Sequence, residues 1–250
     1  MPSTDAPASR QVPCERCPLR GLSGFRAFTP EELAFVSRFK RGELRVAAGT
    51  TILSEGNHSE HLYTVLSGWG FRYKMLENGE RQILNFVMPG DLIGLQASLD
   101  DKMGHSVEAL SDALLCVFER GQLFELYRNY PGLAFDVTWL AAREERMLDE
   151  HLLSIGRRTA RQRAAYLIYF VFSRAAVRGM TSGRTFRFPL TQRHIADALG
   201  LSLVHTNRVL NQLVRRQALS LTNHVLRVNP KVLAEEADWE PDSDRIRPYI

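Results

Sequence analysis

Three cysteines, an odd number, are too few for a disulfide framework in a chain of 250 residues, and they predict reduced thiols. No apolar run approaches the ~20 residues that a membrane-spanning helix requires, so no membrane partner is expected. The first residues, MPSTDAPASRQVP, lack the apolar core of a signal peptide, so a cytoplasmic location is the default expectation. Also missing are a Gly-rich phosphate loop, a complete set of metal ligands, any motif that supplies a nucleophile together with its base, and any internal repeat. Enzyme activity is therefore the least supported class. What remains, 44% hydrophobic and 24% charged residues, suits a soluble globular protein of one large or two ordinary domains.

The most telling scarcity is local. Between Ser154 and Pro230 there are thirteen Arg, no Lys and a single acid, Asp197. That segment carries a formal +12 and leaves −8 for the rest of a chain whose total is +4. Solvated faces usually mix both signs, so a block this one-sided points to an anionic partner. Arg at this density suits contacts to a phosphate backbone.

Within the basic block, Phe188 to Gln217 reads as two short helices joined by a tight turn. Thr191 serves as N-cap of the first helix, Gly200 makes the turn, and Ser202 caps a second helix that runs to about Gln217. On the second helix Thr206, Val209, Leu210 and Leu213 share one face at i, i+3, i+4, i+7 spacing. Val204, Arg208, Asn211 and Arg215 share the opposite face, flanked by His205, Asn207 and Gln212. An apolar back and a front of Arg, Asn, Gln and His is what a helix in a DNA major groove needs, because Arg can pair with guanine and Asn or Gln with adenine.

The remaining chain supplies a context. Residues 1 to about 13 predict a disordered tail, followed by Cys14 and Cys17 in C-x-x-C spacing. Thr29 to Phe39 is a short capped helix. From Lys40 to Phe118 short alternating strands with regular Gly predict a small rolled β structure, with Glu77-Asn78-Gly79-Glu80 as a hairpin turn. Pro131 opens a long helix, about Gly132 to Ile155. Val137, Ala141, Leu148 and Ile155 form its heptad-like stripe, interrupted by Glu144 and His151, and a two-fold homodimer seam is expected there. The interruptions either fix register across the seam or face solvent at a splayed end. Ser154-Ile155-Gly156 is expected to be a hinge. A helix from Arg161 to Ala176 follows, then a strand at 185–188. Leu219–Leu221 and Val225–Val228 around Thr222-Asn223-His224 read as a wing. From Glu235 an acidic tail is expected to be mobile.

A Gly-punctuated β-roll, a long dimer helix and a basic winged helix-turn-helix together resemble the Crp/Fnr family of bacterial transcription regulators, over about residues 14 to 230. The motifs that carry the resemblance are Gly90-Asp91-Leu92-Ile93-Gly94, Leu153-Ser154-Ile155-Gly156-Arg157, and Leu190-Thr191-Gln192 through Arg208. The fold it implies is α+β: an N-terminal double-stranded β-helix (jelly-roll-like) sensor domain, a long dimerisation helix and a C-terminal winged helix-turn-helix. The division is 1–24 for the cysteine-containing tail, 25–130 for the β-roll, 131–155 for the dimer helix, 156–232 for the DNA-binding domain and 233–250 for the acidic tail. The function it implies is a homodimer that reads a palindromic site in double-stranded DNA and works with RNA polymerase. A sensory β-roll that regulates a partner protein is the competing reading. Arg208 falls where the family contacts guanine, whereas Val204 replaces a common base-reading Glu and Asn207 a common Ser or Gly. The half-site is therefore expected to differ from the family's usual one, with His205, Asn207 and Asn211 as its new readers. Arg157 and Arg187 are expected to hold phosphates, and Thr191, Ser202, Gln212 and Arg215 complete the predicted contact set.

The resemblance also bears on the signal. Cyclic-nucleotide-binding members hold the ligand from about Gly90 to Val107. By position Leu95, after Gly94, replaces their ribose-binding Glu and His105 their phosphate-binding Arg, so that only Ser106 remains. A neutral imidazole is a poor substitute for a bidentate guanidinium, and cyclic nucleotide is not the expected effector. Oxygen-sensing members carry an iron–sulfur cluster. Cys14, Cys17 and Cys116 match three of its ligands, but Ser23 stands where the fourth belongs, and a four-iron cluster takes four Cys. A cluster is disfavoured and the cofactor is left open. Cys116, flanked by apolar residues, equally suits a plain core position.

Overall fold

The computed structural model describes residues 12–241 and 246–250, and the predicted tail at residues 1–11 lies outside them. Two 3₁₀ turns, Cys14–Arg16 and Pro18–Gly21, lead to α1 (Pro30–Phe39). Thr29 and Glu32 close a capping box at its start, each satisfying the other's backbone N–H. The β-roll follows: β1 (Lys40–Val46), β2 (Thr51–Leu53), β3 (His61–Ser67), β4 (Gly70–Met75), β5 (Arg81–Val87), β6 (Leu92–Ile93), the helical turn α2 (Ala97–Asp100), β7 (Ser106–Ala109) and β8 (Ala113–Glu119). They form two four-stranded antiparallel sheets ordered β1-β8-β3-β6 and β2-β7-β4-β5. The 4-to-5 hairpin closes over Leu76–Glu80, with Gly79 alone at positive φ (+83°).

Alternation along each strand assigns one set of side chains to each face of the sheets. Val65, Val107, Ala109 and Leu115 fill the roll between the sheets. On the outer side of the first sheet, Leu62, Leu66, Cys116 and Phe118 meet α1, α3 (Leu123–Asn129) and the start of α4 (Pro131–Arg157). The outer side of the second sheet is also apolar. There Trp69, Phe71, Ile83, Phe86 and Met88 join one core with α5 (Ala160–Val177), α6 (Gln192–Leu199) and α7 (Leu203–Arg215). The C-terminal part adds a small sheet from β9 (Thr181–Ser182), β10 (Thr185–Arg187), β11 (Leu219–Thr222) and β12 (Val225–Val228), and α8 (Pro230–Ala237) packs on α5. In the turn of the β11–β12 wing both central residues, Asn223 (φ +49°) and His224 (φ +60°), have positive φ, as a two-residue hairpin loop of the right twist requires.

Four expectations are corrected. Ser154-Ile155-Gly156 is not a break: α4 continues to Arg157, and the chain turns at Arg158 before Thr159 caps α5. The heptad stripe is not a single surface. Val137 is buried in the protomer's own core, while Ala141, Leu148 and Ile155 are exposed. Glu144 and His151 do not face solvent at a splayed end: Glu144 is ion-paired with Arg72, and His151 packs edge-on against Tyr166 and Phe170. The C-terminus does not behave as a loose acidic tail. Arg247, Tyr249 and Ile250 are buried, Arg247 forms a parallel bridge with Phe25, and the Thr64 hydroxyl donates to Ile250 O. The acids Asp242 and Asp244 lie outside the described residues.

Candidate nucleic-acid interface and sensor pocket

The helix pair is set by its caps. Thr191 Oγ1 accepts from His194 N at 3.3 Å, while His194 Nδ1 accepts from Thr191 N at 3.2 Å. Gly200 ends α6 in the left-handed region (φ +62°), and Ser202 Oγ accepts from His205 N at 3.3 Å to start α7. The back of α7 is buried through Thr206, Val209 and Leu213. Its front is open: Val204, His205, Asn207, Arg208, Asn211 and Arg215 are exposed and Gln212 is half-buried. A polar ladder crosses this front. Asn207 Nδ2 donates to Gln192 Oε1 at 3.1 Å, and Asn211 Nδ2 donates to Asn207 Oδ1 at 2.8 Å. Gln192, the first residue of α6, thus belongs to the surface although it was not among the expected contacts; only the packing angle of the helices reveals it.

The +12 of the basic block is not all available. Arg158, Arg161, Arg174, Arg178, Arg193 and Arg216 are ion-paired with acids of the same chain. Arg163 donates to the Arg158 and Leu199 carbonyls. The other six, Arg157, Arg184, Arg187, Arg208, Arg215 and Arg227, are exposed and make no ion pair among the described residues. Arg184 and Arg227, at the winged sheet beside Arg187, are exposed with it and were not among the expected contacts.

In the β-roll the expected pocket residues do not act as one group. His105 is buried, and its Nε2 accepts from Arg72 Nε at 2.9 Å. Burial, reinforced by Arg72 and Lys74, pushes its pKa down to about 3, so the ring is neutral. Arg72 also pairs with Glu144 of α4. Ser106 Oγ accepts from Glu55 N at 3.0 Å. Gly94 holds φ +94°, and a Cβ there would stand 2.9 Å from His61 O. Leu95 packs instead with the cluster of Leu62, Cys116 and Phe118. An Arg72–His105–Glu144 network thus occupies the polar groups where a cyclic phosphate would need an unengaged guanidinium.

Cys14, Cys17 and Cys116 share that same outer cluster. Burial raises the Cys17 thiol and pushes the Cys116 thiol up to about 12, and with Ser23 as the remaining candidate position only three sulfur ligands are present for a cluster that takes four. Ser23 is exposed. Among the described residues no group of three or more His, Cys, Asp or Glu is placed to hold a metal ion. These residues do not fit a four-iron cluster.

The domain order and the fold have counterparts among known proteins. The cyclic nucleotide-binding domain family matches residues 43–130, and the Crp-like helix-turn-helix domain family matches residues 162–236. The nitrogen fixation regulation protein FixK of Rhizobium meliloti is 31% identical over 175 residues, covering 69% of this chain and 75% of that protein. The chain belongs to the Crp/Fnr family of transcription regulators. The regulator is also 28% identical to the transcriptional activatory protein AadR of Rhodopseudomonas palustris over 221 residues, 87% of this chain and 90% of that one. Among solved structures, FixK2 from Bradyrhizobium japonicum superimposes with a TM-score of 0.69 at 27% identity, over 78% of this chain and 96% of that one. The regulator is accordingly a DNA-binding protein of the Crp/Fnr type with a homodimeric design and a β-roll sensor domain.

Proposed function

We propose that the regulator reads a two-fold DNA site by laying the front of α7 from each protomer in successive major grooves, with Arg208 as the guanine contact. The observation that carries this reading is the exposed, unpaired guanidinium of Arg208 on a helix whose back is buried by Val209 and Leu213. Asn207, Asn211 and His205 read neighbouring bases, Gln212 and Arg215 border them, and Val204 offers a methyl contact to thymine. Because Gln192 holds the Asn207 amide, α6 sets the rotamer of one base reader. Thr191 and Ser202, both engaged as caps, lie at helix N-termini, where backbone N–H groups favour phosphate. Arg157, Arg184, Arg187 and Arg227 supply sequence-independent phosphate contacts. RNA polymerase is the downstream partner. The β-roll responds to a signal other than a cyclic nucleotide, since Arg72 and Glu144 already engage His105 and its surroundings.

A random-DNA binding selection tests the reading. Arg208→Ala is expected to lose preference at one guanine, a cost of roughly 1–3 kcal/mol. Arg187→Ala is expected to weaken all sequences alike and to reduce the salt slope by about 1. An unchanged sequence logo for Arg208→Ala would overturn the assignment of that residue.

A further inference from the structure

Gln192 is the first residue of α6, 15 positions before Asn207, and its amide nevertheless meets the front of α7. The reach is fixed from below. Ile195 and Leu199 of α6 share a buried core with Val209 and Leu213 of α7, and Gly200 (φ +62°) sets the turn between the two helices. The Thr191–His194 capping box anchors the start of α6, so the backbone at Gln192 is held where its side chain reaches Asn207.

Asn207 is thereby held on both sides. Its Nδ2 donates to Gln192 Oε1 at 3.1 Å, and its Oδ1 accepts from Asn211 Nδ2 at 2.8 Å. A primary amide has two N–H donors and two acceptor lone pairs, and the two bonds take one of each. What Asn207 keeps for a base is one N–H and one lone pair. The count is the same for either polarity of the ladder, because its middle amide always gives one bond and takes one. Asn211 stands at the end of the ladder and is held on one side. All three residues are exposed, so a base can reach them.

One donor beside one acceptor is what adenine requires in the major groove, with its N7 acceptor and N6 amino group. Guanine presents two acceptors there, N7 and O6, so an amide with one N–H left satisfies one and sets its oxygen against the other. An unpinned asparagine escapes that repulsion by turning its oxygen away. We propose that Gln192 is a specificity-determining positioning residue, which pins the Asn207 amide from α6 and so commits it to adenine at one position of each half-site. Fixing the side chain before DNA arrives also lowers the ordering cost of binding. The assignment rests on α7 being the base-reading helix. It adds a residue outside that helix whose substitution changes the sequence read without removing the base contact itself.

A random-DNA selection with the full-length protein tests the pinning. The wild type is expected to prefer adenine over guanine by about tenfold at one position beside the guanine of Arg208. Gln192→Met, which keeps the length and loses the amide, should bring that ratio to within about threefold while the Arg208 guanine preference stays. Gln192→Glu retains an acceptor for Asn207 Nδ2 and should keep the adenine preference, although its charge weakens all sequences. In an Asn207→Ala background the adenine preference is lost, and Gln192→Met should change nothing further. Gln192 is exposed, so urea midpoints of its variants should shift no more than those of ordinary surface substitutions, which separates altered reading from altered folding. An adenine preference untouched by Gln192→Met, or a wild type without that preference, would overturn the proposal. So would a base shift that persists in Asn207→Ala, or a uniform loss of affinity as the sole effect of Gln192→Met, which a phosphate contact would give. The Arg208 guanine is scored in the same libraries, so failure of the pinning and failure of the α7 reading are separate results.

Discussion

At the scale of single residues, burial decides chemistry more than identity does. Thr206 looks like a routine polar position on the reading helix, yet it is fully buried and its Oγ1 has no partner. Thr206→Val removes an unsatisfied hydroxyl with little change of shape, and a gain of about 1 kcal/mol is expected in urea unfolding. His105 and His151 are likewise held neutral. Burial comes first for both, followed for His151 by the approach of Arg174 and Arg158, and takes them from 6.5 to about 3 and about 4. The unfolded chain therefore takes up protons before the folded one does. Stability is fully present above pH 6.5 and falls as pH drops through the window towards 4 and 3. Denaturation midpoints at pH 7.5 and pH 5 measure the loss, and His151→Phe, which keeps the ring packing against Tyr166 and Phe170, should flatten it. A midpoint independent of pH in the wild type would contradict the neutral-histidine description.

At the scale of elements, α4 carries two jobs along one face, at its two ends. Its first turns bury Leu133 and Val137 in the β-roll, whereas Leu148, Leu152 and Ile155 emerge on the outside at 40%, 73% and 41% exposure. Such a stripe is a ready seam for a second copy of the helix. Replacing Leu148 and Leu152 together by Asp is expected to give monomers in sedimentation. The change should also lower affinity for a full two-fold site by roughly 10²–10⁴, because two linked reading heads act with a high effective concentration. Dimers that persist in the double variant would move the seam elsewhere. The reading head was the most legible element from its residues alone: Thr191, Gly200 and Ser202 are local signals, and each performs its expected capping role. The path of α4 past Gly156 was not legible, because a helical Gly carries only a modest penalty that neighbouring turns can absorb.

At the scale of the whole molecule, sensor and reading head are joined by a continuous core and by charge. Phe71 and Phe86 of the roll pack with α5 and α6, Arg81 pairs with Asp197 at 2.8 Å, and Gln82 donates to Ala198 O at 3.1 Å. Asp91 is the deepest tie, binding α5 and the C-terminal segment to the roll. Its carboxyl is held well below the ordinary range by Arg174, Arg178 and Arg247, against the effect of burial, so its contribution is present at neutral pH and lost in strong acid. Asp91→Ala leaves three buried guanidinium groups without their anion, and destabilisation of about 3–5 kcal/mol is expected in chemical denaturation. A loss within the range of a surface substitution would mean that solvent reaches those arginines.

The local grammar of this regulator is written along the chain: the strand alternation of the roll, the caps of the helix pair, the apolar back and polar front of α7, and the excess of arginine around it. These follow from periodicity and from short-range hydrogen bonding, which neighbours along the chain specify. Long-range packing, by contrast, sets how the charge is distributed, with Arg174 and Arg178 turned inward to Asp91 while Arg184, Arg187 and Arg227 stay outside. It likewise decided that Glu144 faces Arg72, and that the C-terminal residues Arg247 to Ile250 close on the roll. Those outcomes join residues that are 72 to 186 positions apart. Ion pairing across such distances depends on which faces are buried together, and no periodicity along the chain encodes that.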